Sequence, residues 1–445
     1  MKSKLLSSIE TARTFALLIS LAVAVVLSSS GNIEASRHYG RSQKFTGHSV
    51  VLRWNEIAYK RLPPGPPHPT ARLMATVQLA VFEAVNAITR KYQPYLGAVI
   101  APEGASPEAA AITAAHDTWI GLFPAQTAEL DAFRDNSLAA VTDGQAKIDG
   151  IAVGQQAAAA MLANRTNDGF NPPILYTPTS MDPYQWQVTP GPCASTNAGV
   201  LKQMANVRPF GIESASQFRA EPPPPLGSGV YARAFNEVQR VGAANASPAD
   251  RPADREDVAR LYAVTNVGNL NSLAQQIAAT RNDEITDTAR TLAVLNMAVN
   301  DAFVAVFDSK YFYTTWRPVT AIPRAGEDGN RWTTATAFTP LIGTPCFPSY
   351  PSAHGTATTS AITVLERAYG RFGNQVTVSH PAGVRADGSA IVLTYTDLKA
   401  IVSDVSDARV YGGIHFRFDQ DAGEKQGHAV AQYVFNNLLQ KLTGQ

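Results

Sequence analysis

Apolar side chains recur every three to four residues along most of the chain, and this spacing predicts helices. Between Trp54 and Ile88 the apolar row runs through Met74, Val77, Val81 and Val85. Prolines between Pro63 and Pro69 interrupt that row, so the helix is predicted to begin near Thr70. The alanine-rich stretches 108–122 and 145–162 are built from strong helix formers, and Pro107 suits the first turn of the former. Leu122-Phe123-Pro124 parts one helix from the next. Helical spacing returns at 231–241, 253–264, 273–279, 286–307, 356–369, 396–406 and 421–442, while strand-like alternation is scarce.

Between residues 171 and 226 the pattern breaks. Pro172, Pro173, Pro178, Pro183, Pro190, Pro192, Pro209 and the run 222–225 preclude long helices and predict an extended, wrapping segment. The chain therefore reads as all-α, two packed helical bundles joined by long proline-rich connecting loops. Residues 36–230 form the N-terminal half with its wrapping segment, and 231–445 the C-terminal half. No internal repeat is evident.

The first 35 residues differ from the rest. Lys2, Lys4 and Arg13 precede an apolar run over 15–27, followed by Ser28, Ser29, Ser30 and Gly31, which is the pattern of a secretory signal peptide cleaved after Ser30 or after Ala35. The run falls short of the ~20 residues that span a bilayer. No later stretch reads as a membrane span, so the mature protein is expected to be secreted or periplasmic, with no integral membrane association. Hydrophobic residues at 45% against 16% charged exclude bulk disorder. The balance of 37 basic and 36 acidic side chains provides no overall field for nucleic acid, and no nucleic-acid partner is expected. Two cysteines exclude a disulfide-rich scaffold and a four-thiolate metal site. In an oxidising compartment Cys193 and Cys346 either pair or remain two buried thiols.

Reactive side chains concentrate in the last third, in three clusters. In Lys310-Tyr311-Phe312-Tyr313-Thr314-Thr315-Trp316-Arg317-Pro318, helical spacing puts Lys310 and Arg317 on one face two turns apart, among aromatic residues. In Phe347-Pro348-Ser349-Tyr350-Pro351-Ser352-Ala353-His354-Gly355, Pro351 and Ser352 signal a helix start, so the amides of Ala353 and His354 lie at the positive end of a helix dipole, beside a hydroxyl and an imidazole. In Arg409-Val410-Tyr411-Gly412-Gly413-Ile414-His415-Phe416-Arg417-Phe418-Asp419, the glycines permit a sharp turn that brings Arg409 to His415. Asp419 is placed there to accept the far N–H of the His415 ring and set its tautomer. Each cluster alone also fits a surface face or an ordinary helix cap. Jointly they supply what a tetrahedral or trigonal-bipyramidal oxyanion requires: three cations, two imidazoles, a hydroxyl and a helix N-terminus.

These motifs resemble the pattern shared by vanadium-dependent haloperoxidases and the type 2 phosphatidic acid phosphatase superfamily: Lys-x6-Arg-Pro, then Pro-Ser-(Gly)-His, then Arg-x5-His-x3-Asp. Trp54-Asn55, the stretch 84–87 and Val207-Arg208-Pro209-Phe210 are also similar to secreted bacterial members of the haloperoxidase branch. The resemblance implies helical bundles of the vanadium chloroperoxidase and acid phosphatase type. It implies vanadate as cofactor, with phosphate able to occupy the same site, and His415 as the ligand to vanadium or, in a phosphatase, the phosphorylated histidine. Lys310, Arg317 and Arg409 would neutralise the oxyanion, Ser352 and the Ala353 amide would bond its equatorial oxygens, and His354 would move protons at the apical position. Lys310 would polarise hydrogen peroxide, and halide would leave as hypohalous acid that reaches a small organic acceptor. Two positions depart from the pattern: Ala353 stands where the family usually has glycine, and Ala408 where a serine normally precedes the last arginine.

The implied ligands do not separate peroxidase from phosphatase, because vanadate and phosphate share shape and charge. Phe347, Phe307 and Trp316 resemble the apolar halide-side wall of the chloroperoxidases, and the large N-terminal half exceeds that of small secreted acid phosphatases. A peroxide- and halide-dependent oxidoreductase is therefore expected first and a soluble secreted phosphatase, acting on phosphate esters, second. A non-catalytic anion-binding protein stands third, since capture alone needs no proton-transfer histidine. His38, His48, His68, His116, His380 and His428 have no motif partners and read as structural or exposed.

Overall fold

The computed structural model describes residues 47–63, 67–264 and 267–442; the signal-peptide reading of residues 1–35 lies outside them. Helices α1 (His48–Lys60), α2 (Pro67–Thr89), α3 (Pro107–Leu122), α4 (Thr127–Leu138) and α5 (Gln145–Arg165) form the N-terminal half. The chain then wraps through the proline-rich segment, broken only by short 3-10 turns at Pro192–Ser195 and Lys202–Asn206. Helices α6 (Gly229–Val241), α7 (Ala253–Val264), α8 (Val267–Ala278), α9 (Ile285–Tyr313), α10 (Pro318–Ala321), α11 (Ala353–Tyr369), α12 (Leu398–Tyr411) and α13 (Arg417–Asn437) follow. Boundaries differ from the sequence expectation by a turn or so in several places. Helix α2 begins at Pro67 because prolines are tolerated in a first turn, where the missing N–H has no intrahelical acceptor. Among the described residues the scarcity of strands has one exception, an antiparallel hairpin of β1 (Phe372–Val384) and β2 (Ala390–Asp397) with irregular register.

Helix α9 is the axis of the fold. From Ala289 to Phe307 almost every side chain is buried, with α2 packed on one side and α11 and α13 on others. One hydrophobic core runs through both halves. Helices α2 and α9 are long and apolar enough to cross a membrane, contrary to the expectation from sequence, yet both are core helices, with 94% of the α9 window buried inside the protein. Helices α11 and α13 run side by side in contact. At Gly427 a methyl group would lie 2.1 Å from the Thr356 carbonyl oxygen, and at Gly423 one would lie 2.7 Å from that of Ser352. This close approach sets the two helix N-termini next to each other, and the Ser352 N–H donates to the Asp419 carbonyl at 2.8 Å.

The wrapping segment is tied to α9 by a buried carboxylate. Asp301 accepts the amides of Phe210 (2.8 Å), Gly211 (2.6 Å) and Ile212 (2.9 Å), and the Asn300 side chain donates to it at 3.1 Å. A second tie is covalent, because Cys193 and Cys346 form a disulfide with Cα atoms 5.1 Å apart. It joins the wrapping segment to the residue before Phe347 and closes a loop of 153 residues. Cys346→Ser is expected to lower unfolding free energy by about 2–4 kcal/mol, read from urea denaturation with and without reductant. Equal stability of variant and wild type in the absence of reductant would show that hydrogen bonds alone hold the segment.

Candidate functional site

Lys310 projects from the last turn of α9 into the protein, fully buried. Its ammonium donates to the carbonyls of Pro348 (2.9 Å), Ser349 (2.7 Å) and Pro351 (2.5 Å). Arg317 reaches the same place by a different route from the one its spacing suggests. The helix stops at Tyr313, Thr314 takes a left-handed conformation (φ 48°), and Arg317 becomes the N-cap of α10. The two cations therefore do not share a helical face; the turn redirects the second one. Both nonetheless sit 5.2 Å from the ring of Phe347. The Arg317 Nε donates to the Phe347 carbonyl (3.0 Å) and Nη1 to the Ile414 carbonyl (2.9 Å).

Ser352 caps α11, its hydroxyl accepting from the Gly355 amide at 3.2 Å. Ala353 and His354 follow as the first helical residues, with amides that have no acceptor within the helix. Ala353 is buried, whereas His354 retains partial solvent access and makes no hydrogen bond to any described residue.

The third cluster turns as its glycines suggest. Gly413 has φ +78°, and a methyl group there would lie 2.3 Å from the Gly242 carbonyl oxygen, so both conformation and space call for glycine. Beyond the turn, His415 Nδ1 donates to Asp419 Oδ2 at 2.8 Å, and the same oxygen accepts from Ser349 Oγ (2.6 Å) and the Phe416 amide (3.1 Å). With Nδ1 carrying the proton, Nε2 is the lone-pair side of the ring; Arg317 Nη1 stands 2.9 Å from it. Asp419 thus orients an imidazole whose basic nitrogen faces a guanidinium. Ser349 is a partner the motif reading did not single out.

Charge around this point is unbalanced. Lys310, Arg317 and Arg409 are all buried, and the buried carboxylate of Asp419 beside them bonds His415, Ser349 and the Phe416 amide. Burial, then Arg317, pushes the Lys310 ammonium well below its usual range. Burial pushes Arg317 and Arg409 down to about 9. Burial and the neighbouring cations also push the His354 and His415 imidazoles well below their usual range. Arg317 Nη2 and Arg409 Nε are buried without a hydrogen-bond partner. An oxyanion supplies the acceptors and the negative charge that these groups lack.

Sulfate is therefore expected to stabilise the protein, by about 2.7 kcal/mol at 100 times its Kd. Binding an anion favours the charged form of Lys310, which burial disfavours, so affinity falls as pH rises. The melting-temperature increase should be larger at pH 7 than at pH 9, and because sulfate does not titrate there, the trend belongs to the protein. An increase that grows with pH would remove Lys310 from the binding site.

The apolar wall differs from the expectation. Phe307 and Phe347 pack edge-to-face, ring centroids 5.2 Å apart, beside the cations. Trp316 does not join them. Past the helix break it points into a separate aromatic cluster with Tyr184 and Tyr231. In its place stands His68, from the first turn of α2, with its ring 4.6 Å from both Phe303 and Phe307 and 5.7 Å from Phe347. His68 is buried, both its nitrogens are unpartnered, and burial and Lys310 push it down to about 3. No local spacing marks this histidine, since only the packing of α2 on α9 brings it to the site.

The residues present suit vanadate or phosphate: one imidazole whose Nε2 meets the Arg317 guanidinium, three cations, a capped helix N-terminus and a second imidazole. Among the described residues no group of three or more His, Cys, Asp or Glu side chains is arranged to hold a bare metal cation. The cage is of the kind that takes an oxyanion.

Residues 290–444 match the family model described as the VCPO second helical-bundle domain. No curated protein sequence matches the chain significantly. Among solved structures, a bacterial vanadium-dependent iodoperoxidase superposes with a TM-score of 0.71 at 22% identity, covering 89% of this chain and 97% of that one. A holo-type bacterial vanadium-dependent chloroperoxidase superposes with a TM-score of 0.65 at 18% identity, covering 83% of this chain and 91% of that one. The helical architecture, the matched second bundle and these neighbours agree, and the chain has the fold of the vanadium-dependent haloperoxidase and acid-phosphatase superfamily.

Proposed function

We propose that the protein is a vanadate-dependent haloperoxidase that uses hydrogen peroxide to oxidise halide to hypohalous acid. The observation that carries this reading is the buried cage itself, three buried cations near an Asp419-oriented His415 whose Nε2 meets Arg317, with Phe307, Phe347 and His68 packed beside the cations. Bound vanadate would supply Lewis-acid activation of peroxide without change of oxidation state. His415 would hold it through Nε2, with Asp419 and Ser349 fixing the ring. Arg317 and Arg409 would neutralise its charge, and Ser352 and the Ala353 amide would donate to its oxygens. Lys310, held by three carbonyls, would place its ammonium to polarise hydrogen peroxide. His354, which keeps partial solvent access, would move protons to and from peroxide as a general acid and base. The aromatic wall excludes water from the halide side.

The test uses purified protein with and without orthovanadate. Peroxide-dependent halogenation of a dimedone-type reporter that requires vanadate is the expected result. Phosphate-ester hydrolysis inhibited by vanadate would instead assign the phosphatase reaction, with His415 as nucleophile. Tight vanadate binding with neither turnover would assign simple anion capture.

A further inference from the structure

A cleft of about 480 Å³ opens between the wrapping segment and one face of α13. That face consists of Phe418, Asp421, Ala422, Lys425, Gln426 and Ala429, which recur at the three- and four-residue spacing of a single helical stripe. Glu221, Pro222 and Pro224 belong to the opposite wall. Tyr350 also lines the cleft; its buried ring lies 6.2 Å from that of Phe418, and the two give the cleft an aromatic floor.

The fold holds this space open. The Tyr313 hydroxyl donates to the Ala220 carbonyl at 2.7 Å, that of Tyr350 to the Glu221 carbonyl, and that of Tyr184 to the Pro224 carbonyl at 2.8 Å. Gln426 Nε2 fixes the Phe218 carbonyl at 2.8 Å. The prolines at 222–225 have no N–H to offer the helix, so the segment cannot close onto α13 through its amides there. On the helix side, Ala422 and Ala429 are too small to fill the gap. Both walls are thus set before anything enters, which spares a ligand the cost of ordering them.

The charges on the cleft fall into two groups. Arg219 is already engaged, its guanidinium donating twice to Asp308 at 2.7 and 2.9 Å. Asp421 and Lys425 are exposed and stand one helical turn apart, a separation of about 5–6 Å between Cβ atoms. Lys425 acts on the Asp421 carboxylate through space, without a hydrogen bond. Glu221 adds a second exposed carboxylate. One ammonium and two carboxylates above a floor of rings match a small molecule that carries both charges and an aromatic group. An α-amino acid bears its ammonium and carboxylate on one carbon, so the two reach Asp421 and Lys425 from the space between them. The volume lies within the ~300–1,000 Å³ of small-molecule sites and admits an indole-sized side chain.

We propose that this cleft binds a free aromatic α-amino acid, with its ammonium on Asp421 and Glu221, its carboxylate on Lys425 and its ring over Phe418 and Tyr350. The site is separate from the cage and does not depend on the reaction proposed there.

Calorimetric titration with L-tryptophan at pH 7 and low ionic strength should show saturable binding of one molecule per chain. Phenethylamine lacks the carboxylate and 3-phenylpropionate lacks the ammonium, so each should bind at least 10-fold more weakly. Asp421→Lys and Lys425→Glu change exposed charges and should each weaken tryptophan binding at least 10-fold. Ala429→Trp fills the cleft from the helix and should do the same, so no single variant decides the matter. Sulfate should still raise the melting temperature of all three as it does that of the wild type, which shows that fold and cage are intact. No saturable tryptophan binding to the wild type would overturn the proposal, as would an affinity that none of the folded variants lowers. Phenethylamine or 3-phenylpropionate binding as tightly as tryptophan would make this a site for amines or for carboxylates, and would overturn the amino-acid assignment.

Discussion

His415→Ala is expected to reduce vanadate affinity at least ~100-fold, about 2.7 kcal/mol, and with it the vanadate retained after dialysis. The loss is large because the remaining groups act as donors or charges, and among the described residues the His415 Nε2 is the imidazole nitrogen that meets the guanidinium of Arg317. His354→Ala should behave differently. His354 bonds to no described residue and keeps partial solvent access, so its removal should leave vanadate bound within a few-fold while turnover falls by about 10²–10⁴. Vanadate titration followed by steady-state kinetics on both variants separates binding from proton transfer. Equal loss of vanadate by the two would contradict this division. Asp419→Asn should fall between them, since His415 remains but the carboxylate that fixes its tautomer is gone.

The second large effect is on stability and lies away from the site. Asp301→Ala is expected to cost about 3–5 kcal/mol of unfolding free energy, because it strands the buried amides of Phe210, Gly211 and Ile212. Burial raises the pKa of this carboxyl, while the three amides oppose the rise and favour the charged form. Asp301→Asn keeps one accepting oxygen and should lose less. Urea denaturation gives the magnitude, and an affinity for sulfate near that of the wild type would show that the loss concerns the wrapping segment and not the cage. A cost below about 1 kcal/mol for the alanine variant would mean that other contacts hold the segment.

The three motifs were legible because each is local. Ser352 ahead of Ala353 reads as a helix cap, Gly412-Gly413 as a turn, and His415 with Asp419 as an oriented imidazole, all from neighbours within a few residues. The Lys310–Arg317 pair shows where such reading fails. Helical spacing assigned both to one face, yet Thr314 breaks the helix and the shared target is reached by a turn. Trp316 was misplaced for the same reason, since the break rotates it away from Phe307. The hairpin escaped notice because its two strands are stabilised by each other and by α7 and α8, not by a strong alternation of their own.

By itself the amino-acid order determined the helical class, the proline-rich interruption and the chemical kind of each cluster, because periodicity, caps and turns depend on residues close in sequence. Only the tertiary structure decided that His68 joins the aromatic wall, that Cys193 meets Cys346, that Asp301 gathers three distant amides, and that a cleft opens between the wrapping segment and α13. These depend on contacts between segments far apart along the chain, whose pairing is set by the packing of whole helices on α9 and leaves no local mark in the sequence.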